Sequence, residues 1–128
     1  MKKLIGFDKI NTAVFISGTG SNLRNLIKFS KLKKSPIKIK LIISNNEKAK
    51  GLIYSKKNKI KSLVYNSKSK YDAEEKILYN LRKAKINFIC LAGFMKILSK
   101  NFIEKFNGQI INIHPSLLPK YKGLNTHQ

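Results

Sequence analysis

The tightest constraint on this chain's fold is a regular alternation of short, β-rich apolar runs with segments of helical periodicity. Residues 12–16 (Thr-Ala-Val-Phe-Ile) form the first such run, in residue types that suit a pleated, buried surface. Leu23, Leu26 and Ile27 then recur at helical spacing, so a helix opens near Ser21. Ser35-Pro36 breaks the chain, residues 37–43 form a second strand, and Ser44-Asn45-Asn46 closes it as a turn and helix cap. A second helix is expected over 48–57 and a short third strand over 62–65. A polar connector leads into a third helix over 71–85, with Ile77, Leu78 and Leu81 on one face. Residues 87–92 are almost continuously apolar, the mark of a strand buried on both faces. Ser99 caps a short helix reaching about Phe106, and residues 109–113 form a fifth strand. Strands alternating with helices require crossover connections. The expected class is therefore α/β, with an open, mostly parallel sheet covered by helices on both faces.

In such a sheet ligands gather at the carboxyl edge of the strands, and three strand ends carry chemistry there. The first strand runs into Ser17-Gly18-Thr19-Gly20-Ser21-Asn22. Small residues let an anion approach the backbone, and a helix N-terminus supplies free N–H groups and a positive dipole end. Ser21 and Asn22 add side-chain donors, and the turn suits a single terminal phosphate. It is neither a Walker loop nor a full dinucleotide fingerprint, because Leu23 stands where the third glycine would be. The fourth strand runs into Gly93-Phe94-Met95-Lys96-Ile97-Leu98, a turn of mixed character. The fifth ends in Asn112-Ile113-His114-Pro115-Ser116-Leu117-Leu118-Pro119. Asn112 and His114 are two apart, so on a strand an amide and a titratable base face the same way. Each feature has an ordinary alternative: a capped turn, core packing at a strand end, and loop polars satisfied locally.

Composition narrows the function classes. At 128 residues the chain is one domain by length, and no uncharged apolar run is long enough to cross a membrane. Residues 1–11 read as a short N-terminal extension rather than a signal peptide, for want of a sustained apolar stretch and a small-residue cleavage site. The net charge is +21, but of 27 cationic residues only Arg24 and Arg82 are arginines, and the lysines are spread along the chain. Arginine is the residue that forks onto bases and phosphates, so the charge reads as a solvated surface rather than a specific nucleic-acid site. It still attracts anionic small molecules. The single cysteine, Cys90, lies among Phe88, Ile89 and Leu91. It excludes an intrachain disulfide, fits a reducing cytoplasm, and sits in surroundings that raise a thiol's pKa. No metal is expected, because one cysteine and two histidines, with His127 in a terminal tail, fall short of a spaced site.

Taken in order, residues 17–23, 91–98 and 112–121 resemble the phosphoribosylglycinamide formyltransferase family, over residues 12–128 as the N-terminal part of a single domain. The resemblance implies a Rossmann-like formyltransferase fold and a cytoplasmic enzyme of purine (IMP) biosynthesis, acting as monomer or homodimer, with no membrane or specific nucleic-acid partner. It implies that Gly20, Ser21 and Asn22 cradle the phosphate of 5-phosphoribosylglycinamide. It implies that Met95, Lys96, Ile97 and Leu98, with Asn112 and Lys70, contact the co-substrate 10-formyltetrahydrofolate, and that Asn112 and His114 are catalytic. The substrate amine attacks the formyl carbon, Asn112 and protonated His114 stabilise the oxygen where charge develops, and His114 passes a proton to the leaving folate nitrogen. One of the bonds His114-Pro115 and Leu118-Pro119 is expected to be cis, since X–Pro bonds permit it at low cost.

The resemblance also implies further chain beyond the position of Gln128, including a loop with an aspartate that tunes the histidine. Neither Asp8 nor Asp72 lies on a matching segment. The 128-residue chain is accordingly expected to be C-terminally truncated and, in isolation, to turn over little or not at all. Two alternatives stay open: a methionyl-tRNA formyltransferase-like enzyme, which shares the His-x-Ser-Leu-Leu-Pro signature, and a non-catalytic basic α/β binding module.

Overall fold

The computed structural model describes residues 8–66 and 68–113. Five strands, β1 (Ile10–Ile16), β2 (Ile37–Ser44), β3 (Lys61–Val64), β4 (Phe88–Ala92) and β5 (Gln109–Ile113), form one sheet in the order β3-β2-β1-β4-β5. Every pairing is parallel. The helices are α1 (Ser21–Ser30), α2 (Leu52–Lys57), α3 (Lys70–Lys83) and α4 (Lys100–Lys105). The order turns back at β1, whose neighbours are β2 on one side and β4 on the other. The crevice of an open α/β sheet lies at that reversal.

Alternate residues of the inner strands feed two cores, one on each face. On one face Ala13, Phe15, Leu41, Ile43 and Ile89 pack with Ile77, Leu78 and Leu81 of α3 and Phe102 of α4. On the other, Val14, Ile16, Ile42 and Cys90 pack with Leu23 and Ile27 of α1 and with Ala49. β2 changes phase to serve both. The register slips by one residue between Thr12 and Ala13, leaving Lys40 without a partner on β1. Ile37 and Ile39 before the slip face the α1 side, and Leu41 and Ile43 after it face the α3 side.

Element boundaries moved for physical reasons. β1 begins two residues earlier than its β-branched run, because Ile10 and Asn11 pair with Ile37 and Lys38. Lys9 donates from Nζ to the carbonyls of Ser30 (2.9 Å) and Leu32 (2.8 Å), a cation on the free carbonyls at the end of α1. α2 starts at Leu52 rather than 48, because the Asn46 side chain holds the Lys48 N–H at 2.9 Å in a turn. α3 opens one residue early, with the Ser69 side chain accepting from the Asp72 N–H. Ser99 caps α4, as the sequence implies, by accepting from the Phe102 N–H.

Candidate functional site

The three chemistry-bearing segments leave adjacent strands, β1, β4 and β5, at the same edge of the sheet. The glycine turn is built for close backbone approach. Gly20 is the N-cap of α1 at φ +81°, a conformation glycine reaches without strain. A Cβ on Gly20 would lie 2.5 Å from the Gly51 Cα, so the two backbones touch. The Gly51 N–H also donates to the Gly18 carbonyl at 3.0 Å. This contact explains why α2 cannot begin before residue 51. Arg24 N–H donates to the Gly20 carbonyl at 2.8 Å as the first turn of α1 closes. The amides of Ser21, Asn22 and Leu23 precede that bond, and among the described residues no side chain caps them. Ser21 is exposed, while Asn22 is 8% exposed. An uncapped, acid-free helix start behind a glycine turn is an anion seat.

Four contacts hold the segment after β4. Gly93 turns the chain at φ +75°. The Phe94 ring packs edge-on against Phe15 at 5.2 Å between centroids. The Met95 N–H donates to Ser17 Oγ at 2.8 Å, and Ser17 Oγ in turn donates to Asn45 Oδ1. At the far end, the buried Glu74 carboxylate accepts from the Ser99 N–H (2.9 Å) and the Ser99 hydroxyl. Between these anchors the Met95 and Ile97 side chains are 79% and 80% exposed. They are apolar groups held out from the fold, so the ordinary alternative of core packing at a strand end, the one favoured for Met95, is corrected. Leu98 is partly buried against the core.

A cavity of about 350 Å³ opens beside this segment, lined by Lys96, Ile97 and Leu98 and, from across the sheet edge, by Lys70, Lys68 and Tyr65. Lys70 is thus brought together with the post-β4 segment although 25 residues separate Lys70 from Met95 in sequence. Glu74 is the acidic residue lining this space, and its oxygens are engaged by Ser99. Among the described residues the ion pair is Lys105 Nζ with Glu75 Oε2, at 3.2 Å. The cavity mouth therefore keeps a positive field. Burial raises the Tyr65 phenol's pKa above its ordinary value, partly offset by the Asn80 hydrogen bond at 2.6 Å.

Asn112 is exposed on β5, opposite Leu91, on the same face as Ile110 by strand alternation. His114, His127 and the two proline bonds, one of which is expected to be cis, lie outside the described residues. Residues the sequence reading missed are Asn45, Gly51, Glu74, Tyr65 and Lys68. Asn45 had a readable signal, since it ends β2 at the same sheet edge. Gly51 had another, as a glycine interrupting an expected helix. Burial at position 90 raises the Cys90 thiol to about 11, as its apolar flanks imply. Among the described residues no cluster of three or more His, Cys, Asp or Glu side chains could hold a metal, and no helix is long and apolar enough to cross a membrane.

A reversal of strand order beside a glycine turn at a helix start marks an open α/β fold with a ligand edge. The chain belongs to the formyl transferase family, whose model matches residues 10–128. Within that family it is similar to phosphoribosylglycinamide formyltransferases. That of Haemophilus influenzae is 43% identical over 119 residues, covering 91% of this chain and 56% of the relative. The human trifunctional purine biosynthetic protein adenosine-3 is 42% identical over 123 residues, covering 94% of this chain and 12% of that protein. The crystal structure of phosphoribosylglycinamide formyltransferase from Brucella melitensis superposes with a TM-score of 0.80 at 40% identity, covering 94% of this chain and 65% of that one. The chain thus spans less than two thirds of these relatives' lengths.

Proposed function

We propose that this chain forms the ligand-binding half of an enzyme that transfers a formyl group from 10-formyltetrahydrofolate to the amine of 5-phosphoribosylglycinamide. The observation that carries the reading is the union of an uncapped helix start at Gly20 with a lysine-lined cavity, through segments tied by Ser17. The first accepts a dianionic phosphate. The second offers apolar and cationic groups to a ligand with a flat ring at one end and carboxylates at the other. In this reading Gly20, Ser21 and Asn22 bind phosphate. Met95, Lys96, Ile97, Leu98 and Lys70 bind the folate, and Asn112 and His114 act on the formyl carbon between them.

The chemistry follows from charge. Amine attack puts negative charge on the formyl oxygen, where the Asn112 amide and protonated His114 donate. One such donor lowers the barrier by about 3–4 kcal/mol. The imidazolium gives its proton to the leaving nitrogen as the C–N bond breaks, and the proton shed by the attacking amine restores it, so the transfer balances. The test is formyl transfer by the full-length protein that contains this chain, with isotopically labelled formyl donor and each of two acceptors, 5-phosphoribosylglycinamide and methionyl-tRNA. Label on the ribonucleotide alone supports the reading. Label on the tRNA, or on neither, overturns it.

A further inference from the structure

Ser17 directly follows β1 and opens the glycine turn, and its side-chain hydrogen bonds run to segments beyond that turn. Its oxygen accepts the Met95 N–H at 2.8 Å, across 78 residues of sequence. Its proton goes to Asn45 Oδ1, just past the end of β2 on the other side. A serine hydroxyl has one proton and two lone pairs. With the proton committed to Asn45, a lone pair is left facing Met95. Hydrogen bonds in such a chain polarise one another. The residue therefore ties β1, β2 and β4 together at the reversal of strand order, at the root of the phosphate turn. The segment it holds is irregular and carries exposed Met95, Lys96 and Ile97, so backbone position there is set by its anchors rather than by a ladder.

We propose that Ser17 is a positioning residue for formyl transfer: its hydroxyl fixes the Met95–Leu98 segment relative to the glycine turn, so that the folate subsite is registered on the phosphate subsite. This rests on the formyl-transfer reading of the same segments. Ser17 touches neither ligand, and acts through the Met95 amide. Glu74 anchors the other end of the segment through Ser99 but makes no link to the glycine turn. The coupling of the two subsites falls to Ser17.

The test compares Ser17→Ala and Ser17→Thr with the wild-type full-length protein, by binding of tetrahydrofolate and of ribose 5-phosphate and by hydrogen exchange at the Met95 amide. Loss of one hydrogen bond with a stranded partner corresponds to about ten-fold. In Ser17→Ala, tetrahydrofolate binding is expected to weaken about ten-fold and Met95 exchange to accelerate, while ribose 5-phosphate binding stays within about two-fold. Ser17→Thr, which keeps the hydroxyl, restores both. A merely structural role would weaken both ligands together and leave Thr no better than Ala, which overturns the proposal. Wild-type binding of tetrahydrofolate that is unchanged in Ser17→Ala overturns it as well. Wild-type protein that binds neither ligand removes the formyl-transfer reading and the proposal with it.

Discussion

β4 and β5 are neighbours of equal length, five residues each, and they hold their functional tips in opposite ways. β4 lies between β1 and β5, and Ile89, Cys90 and Ala92 are buried. β5 pairs, among the described residues, with β4 alone; Gln109, Ile111 and Asn112 are exposed. The post-β4 segment therefore inherits a rigid base and adds side-chain anchors at Phe94, Met95 and Ser99. Asn112 stands on a strand held from one side. The segment proposed to bind the folate thus follows the more buried strand, and Asn112, proposed to be catalytic, stands on a strand that is paired on one side among the described residues.

Isoleucines on the two strands measure that contrast. Ile89 is fully buried, and Ile89→Ala is expected to lower stability by about 2–5 kcal/mol, read as a fall in urea midpoint. Gly20→Ala should follow at about 2–4 kcal/mol, since it combines a left-handed backbone with a Cβ against Gly51. Gly18→Ala, where the added Cβ meets nothing within 4 Å, serves as its control. A smaller effect comes from pH. Burial lifts the Cys90 thiol from 9.0 to about 11, so the folded protein keeps a proton that the unfolded chain loses. That contribution is complete below about pH 9 and is lost as pH rises toward 11. The urea midpoint of wild type should therefore fall more than that of Cys90→Ala between pH 8 and pH 10.5. Smallest of all, Ile111→Ala on β5 should stay within about 0.5 kcal/mol. A loss there equal to that of Ile89→Ala would erase the distinction between the strands.

The sheet was legible because its signals are local. Alternating apolar runs placed all five strands to within two residues, and Ser99 announced its own cap. What was not legible depends on pairing between distant segments. The slip at Lys40 exists because β2 must meet two cores at once, and nothing in Ile-Lys-Ile-Lys-Leu-Ile-Ile states it. The late start of α2 follows both from the Asn46 turn at Lys48 and from Gly51, whose backbone meets Gly18 and Gly20, a contact made only when the sheet is assembled. The phosphate turn and the post-β4 segment were found as motifs, but the Ser17 link between them and the Glu74 anchor are tertiary facts. Lys70 was placed by resemblance alone; the cavity brings it alongside Lys96 and gives it a physical setting.

The account's central claim is that Asn112 works on the reacting formyl group at the tip of β5. The most direct measurement is kcat for formyl transfer to 5-phosphoribosylglycinamide in the full-length protein carrying Asn112→Ala. The expected result is a fall of about 10²–10³-fold, the loss of one oxyanion donor, with unfolding by urea unchanged because the side chain is exposed. An unaltered kcat in the folded variant would contradict the claim.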